Sequence, residues 1–179
     1  MPITPLHFGP AAAAKAVTPK YFSIAVFGFT QLVIDMEPAY YIAQGLWPIH
    51  RFFHTYLGVT LVAVFAVAVG KPIFELLIRW WNRRLSSRQR DWLGIQERIT
   101  LTAAILGALF GAYSHVLLDS VVHPDLRPFA PWSYSNGLLH LISNWQLNLL
   151  CVGSGVVGGV LFLLMLLRRK RFADGSPHL

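Results

Sequence analysis

The sequence is poor in cysteine and in charge. Cys151 is the only cysteine in 179 residues, and it sits inside an apolar run, which excludes a disulfide framework and a cysteine-based zinc site. Charged residues make up 13% of the chain, where a soluble domain averages about 25%, so an ordinary cytosolic enzyme is a poor fit. Also missing are a Walker A sequence, a Gly-x-Ser-x-Gly elbow, a His-Glu-x-x-His pair and a Rossmann glycine pattern, which leaves nucleotide hydrolysis and serine catalysis without support. Gly153-Ser154-Gly155 lies within an apolar span and reads as helix packing. No repeat or low-complexity tract divides the chain, so residues 1–179 form a single integral membrane domain.

What the sequence has is apolar length: 55% of it is hydrophobic, and its mean hydropathy is +0.51. A membrane-crossing helix needs about 20 apolar residues, and three segments qualify, at about 54–80, 99–122 and 147–167. The N-terminus reads as a helical hairpin. GPAAAAKAV (9–17) suits a short helix, Thr18-Pro19 breaks it, and YFSIAVFGFTQLVI (21–34) runs back out to Asp35. A cleaved signal peptide is the alternative, since Lys15 and Lys20 precede an apolar stretch, but Asp35-Met36-Glu37-Pro38 is a poor cleavage site. The fold class is therefore all-α, a polytopic membrane bundle with an N-terminal helical hairpin plus three transmembrane helices.

The formal net charge of +7 is local. Residues 71–98 carry seven basic and three acidic side chains, and the tail 168–179 carries Arg168, Arg169, Lys170 and Arg171 against Asp174. Basic clusters beside apolar spans mark cytoplasmic segments. The basic loop at about 79–98 and the C-terminal tail are thus expected in the cytoplasm, with the loops at 35–53 and 123–146 on the outer side. The stretch WWNRRLSSRQRDW (80–92) interleaves aromatics with arginine as nucleic-acid-binding segments do, but membrane anchoring explains both residue types and disfavours a nucleic-acid partner.

Ionisable side chains in membrane spans mark function by default. Gly107, Gly111, His115, Asp119 and His123 recur at four-residue spacing, and residues four apart share a helical face. The glycine half lets another helix approach closely. The other half presents imidazole, carboxylate and imidazole. His50 and His54 are again four apart, and Asp35 and Glu37 close the hairpin. In the derived topology Asp35, His54, His115 and Asp119 meet near the outer boundary, with His7 beside them. His and Asp from separate helices are the signature of a metal site for zinc, with manganese or iron as alternatives. Each residue also has a plainer reading: His115–Asp119 as a local hydrogen bond, His50 as an interfacial side chain and His123-Pro124 as a helix stop, while a further four-spaced polar row, His140, Asn144 and Asn148, reads as interfacial packing.

MPITPLHFGPA at the start, DMEP at 35–38, HTYLG at 54–58 and GAYSHVLLDSVVHP at 111–124 together resemble the bacterial inner-membrane metal-dependent hydrolase family. Its members are also described as LexA-binding, inner-membrane-associated hydrolases, with a related group of small membrane proteins. The resemblance covers about residues 1–58 and 105–133, and implies a helical fold in the bacterial inner membrane. It also implies a metal site that falls on His7, Asp35, His54, His115 and Asp119. In two places the chain departs from the family pattern. Pro38 stands where many members carry a histidine, and His50-Arg51-Phe52-Phe53-His54 is one residue shorter than the usual His-Arg-Gly-x-Thr-His. Both departures count against a two-metal site.

The leading expectation is a membrane-bound metal-dependent hydrolase acting on an ester, of lipid or lipid-linked phosphoester type, at the outer interface. A metal lowers the pKa of its water to about 7 and polarises the ester, and Glu37 or His123 would be the general base. The alternatives are a haem-binding or ion-handling bundle, with His54 and His115 as axial ligands, and a non-catalytic scaffold working through the basic loop.

Overall fold

The structure, a computed structural model, describes residues 4–174. Among them are six α-helices and no strand: α1 Phe8–Val17, α2 Ile24–Ala43, α3 Tyr56–Arg84, α4 Ser87–Leu93, α5 Leu101–Val122 and α6 Asn144–Asp174. The three expected spans correspond to α3, α5 and the Asn144–Met165 part of α6, each long and apolar enough to cross a membrane.

α5 is the centre of the bundle. In its most apolar stretch 44% of residues are buried, against 22% for α3 and 17% for α6, so the latter two present most of their apolar surface outward. The buried face of α5 is small: Ala104, Gly107, Ala108, Gly111 and Ala112. It lets α2 run parallel to it in backbone contact, with the Ser23 N–H donating to the Ala103 carbonyl at 3.0 Å. A Cβ on Gly107 would overlap the Ser23 carbonyl oxygen. Between apolar helices in lipid there is little hydrophobic drive, so such close packing supplies the attraction. α3 packs antiparallel on α5, with Thr60 and Tyr113 hydroxyls 2.8 Å apart at one end and the Ile99 N–H donating to Glu75 at 2.9 Å at the other.

The hairpin forms as the sequence implies. The Thr18 hydroxyl donates to the Ala14 carbonyl at 2.7 Å, Ser23 caps α2 by accepting from the Val26 N–H, and α1 returns alongside α2. The Ala-rich α1 then holds α6, and a Cβ on Gly9 would overlap the Cys151 carbonyl oxygen.

Three expectations need correction. First, α2 does not stop at Asp35 but continues through Pro38 to Ala43. Proline removes one helical hydrogen bond and costs about 3 kcal/mol in a helix interior. Here Pro38 is buried, and the neighbouring Glu37 is tied to the next connection by three hydrogen bonds. Second, the segment expected as a basic loop at about 79–98 is largely ordered. α3 extends to Arg84, with a π-helical turn at Ala66–Gly70 that resets its hydrogen-bond ladder just before Pro72. α4 and the irregular return after it are clamped by Asn82, which donates to the Ile95 carbonyl at 2.7 Å and accepts the Ile95 N–H at 3.1 Å. Third, His140, Asn144 and Asn148 are not one helical row, because His140 precedes α6 and has φ of +60°.

Candidate metal centre

The helix directions bring five sequence-predicted residues to one end of the bundle. His7 ends the Thr4–His7 turn that opens α1, Asp35 lies on the second half of α2, and His54 ends the Phe52–His54 turn before α3. His115 and Asp119 occupy the last two turns of the buried α5 face. His7 is 1% exposed, His54 and His115 are 0% and Asp119 is 4%, so the centre is closed to bulk solvent on most sides.

The carboxylates and imidazoles face one another at ligand spacing. His115 Nε2 lies 3.2 Å from Asp119 Oδ2 and 3.4 Å from Asp35 Oδ1. His7 Nε2 is 3.4 Å from Asp119 Oδ1, and His54 Nε2 is 3.8 Å from Asp119 Oδ2. A tetrahedral ion with bonds of about 2.0–2.1 Å sets its donors roughly 3.3–3.4 Å apart. Three of the four separations, 3.2–3.4 Å, are close to that edge length, and the His54 separation of 3.8 Å is longer.

The other ring nitrogens are held from behind. His54 Nδ1 is 3.0 Å from Glu37 Oε2, and His115 Nδ1 is in short contact with Gln31 Oε1. An acceptor at Nδ1 places the proton there and leaves the Nε2 lone pair facing the centre, the arrangement that orients metal-binding histidines. Gln31 is itself fixed, donating from Nε2 to the Gly111 carbonyl at 3.0 Å.

Beyond these close approaches to one another, the inward atoms make no hydrogen bond. Among the described residues, the buried side-chain nitrogens and oxygens without a hydrogen bond are His7 Nδ1 and Nε2, His54 Nε2, His115 Nε2 and Asp119 Oδ1. All belong to this one cluster. Leaving a buried polar group unsatisfied costs about 1–3 kcal/mol, and a native fold carries few of them. A divalent cation would satisfy the three Nε2 atoms and Asp119 Oδ1 together, though not His7 Nδ1, which leaves its ring in another direction, and the donor set of imidazole and carboxylate suits zinc, manganese or iron. The residues therefore fit a metal.

Glu37 and His123 occupy different places. Glu37 accepts the Arg51 and Phe53 backbone N–H groups, each at 2.9 Å, besides its contact with His54. It stands behind His54 rather than among the inward nitrogens. His123 is the C-cap of α5, half-buried, with Nε2 4.0 Å from Asp119 Oδ1.

The sequence reading missed three members of this assembly. Gln31 is one turn before Asp35 on α2, and a glutamine in mid-span was the available signal. His50, read as interfacial, is 5% exposed, and its Nδ1 lies 2.9 Å from Asp125 Oδ1. Asp125 also accepts the Ile49 and His50 N–H groups at 3.0 and 3.1 Å. A pairing across 75 residues leaves no mark in local spacing.

Outside the spans, burial lowers the pKa of His54 despite the opposing Glu37 contact, and burial lowers that of His123. Both shifts favour the neutral, ligating imidazole. For His7, burial works against the cation, but the adjacent Asp119 outweighs it and raises the pKa. Burial opposes ionisation of Asp125, yet the His50 side chain and the two backbone N–H groups outweigh it and hold that carboxyl below its ordinary range.

A cavity of about 770 Å³ adjoins this end. Its walls are mainly apolar, with Trp47, Phe52 and Leu57 among them, and they also carry Arg51 and Arg127 beside His50 and Asp125.

No curated protein and no solved structure is detectably similar to this chain. A family profile, however, matches residues 1–177, and the chain belongs to the family described as Domain of unknown function (DUF4184).

Proposed function

We propose that the protein is a membrane-bound, metal-dependent hydrolase acting on an ester, with its centre at the outer face of the bacterial inner membrane. The observation that carries this reading is the convergence of buried Nε2 atoms that make no hydrogen bond, from His7, His54 and His115, on the Asp119 carboxylate. The resemblance of the Gly-x-x-Ser-His-x-x-x-Asp stretch to the metal-dependent hydrolases supports the same chemistry.

In this reading His7, Asp35, His54, His115 and Asp119 hold a divalent cation, zinc foremost, with manganese or iron as alternatives. The ion supplies Lewis acidity, acidifying water and polarising an ester oxygen. Glu37 and Gln31 fix the proton on the Nδ1 atoms of His54 and His115, so both rings keep the tautomer that binds through Nε2. Glu37 is thus a positioning residue, with both oxygens engaged. His123 stands on the open side next to Asp119 and, beside a single ion, is the group placed to move a proton.

The cavity is where an ester would dock. Its apolar walls suit an acyl or polyprenyl chain, and Arg51 and Arg127 suit an anionic headgroup such as a phosphoester. The exposed apolar surfaces of α3 and α6 support the bilayer as the partner alongside. The basic 71–98 segment and the C-terminal end of α6 lie at the opposite end, and their positive charge supports a cytoplasmic side there.

A haem reading gains nothing from this geometry. Asp119 and Asp35 oxygens stand 3.2 and 3.4 Å from His115 Nε2, in the space where a porphyrin would have to lie.

The test is hydrolysis of a panel of phosphate and carboxylic esters, soluble and micellar, by zinc- and manganese-loaded protein. The reading predicts turnover that the His115→Ala, Asp119→Ala double variant loses. Equal turnover by wild type and double variant would refute it.

A further inference from the structure

The buried centre does not use all the ligand chemistry at this end of the bundle. His50, His123 and Asp125 each offer one ligand atom, and the three atoms lie within 4.8 Å of one another. None of the three residues belongs to the groups built on His115, which are His7, His115 and Asp119, and Asp35, His54 and His115. A further group of His50, His54 and Asp119 links the two sets.

Their placement is firm. Asp125 is fixed by the Ile49 and His50 backbone N–H groups and by His50 Nδ1. The His50 and His123 rings lie with centroids 4.1 Å apart at 39°. His50 and Asp125 also line the cavity, so this second cluster sits between the buried centre and the open space.

A purely structural clamp between the 44–55 connection and the end of α5 needs one imidazole and one carboxylate, and His50 with Asp125 would suffice. It does not account for a second imidazole, His123, brought against the first. Nor does one ion account for the cluster, since it takes four to six donors and eight His and Asp residues assemble here. Asp119 is built to be shared. Its Oδ2 faces His115 and His54 at 3.2 and 3.8 Å, and its Oδ1 faces His7 and His123 at 3.4 and 4.0 Å.

Pro38 removes one ligand of the two-metal pattern in the family this chain resembles, but His50, His123 and Asp125 form a second set that does not need that position, and we infer that the centre is dinuclear. A second divalent cation is held by His50, His123 and Asp125 on the cavity side, with the Asp119 carboxylate between the two positions. This rests on the metal reading proposed above and extends it, making His123 a ligand rather than a proton carrier. Paired ions about 3.5–4 Å apart clamp both the attacking and the leaving oxygen in phosphoester displacement. With Arg51 and Arg127 both lining this cavity, the substrate class narrows to phosphoesters.

The experiment uses the full chain in detergent, without a histidine tag, loaded with manganese(II) and passed over a desalting column. Metal is counted by mass spectrometry, and the ions are examined by electron paramagnetic resonance. The inference predicts about two manganese per chain with a spin-coupled spectrum, falling to about one, with an uncoupled six-line spectrum, in Asp125→Asn and in His123→Gln. Asparagine keeps an oxygen for the Ile49 and His50 N–H groups, and helical circular dichroism with an unchanged elution volume identifies the folded variants. One manganese per chain in wild type, unchanged in both variants, overturns the second site and leaves the first standing. No manganese or zinc in wild type overturns both.

Discussion

His54 Nδ1 lies 3.0 Å from Glu37 Oε2, while its Nε2 is buried without a hydrogen bond and points at Asp119. One ring thus joins the α2–α3 connection to the end of α5, and its orientation is set by a carboxylate that is not among the inward atoms. If Glu37 acts by positioning, Glu37→Ala should weaken metal binding about 10–100-fold, the usual effect of losing such a partner. Glu37→Gln should lose less, because one amide oxygen still accepts. Competition titration with a chromophoric chelator measures both, and equal affinity in Glu37→Ala and wild type would contradict the role.

Metal removal should destabilise the fold. The five buried atoms without hydrogen bonds are unsatisfied in the apo protein, and binding stabilises the native state by about 2.7 kcal/mol at a metal concentration 100 times Kd. At about 2–4 °C per kcal/mol for a chain of this size, chelation should lower Tm by roughly 5–10 °C and readdition should restore it. Differential scanning fluorimetry in detergent reads the shift, and identical melting with and without chelator would count against the site.

The glycine half of the α5 row was legible because four-residue spacing is the period of a helical face, and burial bears it out at Gly107, Gly111, His115 and Asp119. The hairpin was legible from Thr18-Pro19. Other features were not. α2 runs through Pro38 because tertiary contacts of Glu37 outweigh a local breaker, and propensity cannot register contacts made 14–17 residues away. The clamp of Asn82 on Ile95 turned an expected loop into ordered structure in the same way. His50 and Asp125 were passed over because their partnership is formed only by the fold.

Close packing of α2 on α5 gives a separate prediction. A side chain on Gly107 meets the Ser23 backbone, whereas Gly159 has nothing within 4 Å. Gly107→Val should destabilise by about 1–3 kcal/mol or more, as overpacking does, and Gly159→Val should leave thermal stability unchanged. Equal melting temperatures for the two variants would contradict the helix arrangement.

Orientation can be tested through the buried, lone Cys151. A cysteine introduced at Ser135, which is exposed at the end of the bundle holding the centre, should react with a membrane-impermeant thiol reagent added outside intact spheroplasts. One at Ser87, exposed on α4, should react only after permeabilisation. The reverse pattern would move the centre to the cytoplasmic face.

The central claim is that His115 and Asp119 anchor a metal, and metal content tests it most directly. Tag-free protein purified in detergent, and His115→Ala and Asp119→Ala variants shown to be folded, are measured by inductively coupled plasma mass spectrometry. The account predicts at least one zinc, manganese or iron per wild-type chain and a loss of most of it in each variant. Wild type that binds none after incubation with each metal in turn would contradict the account.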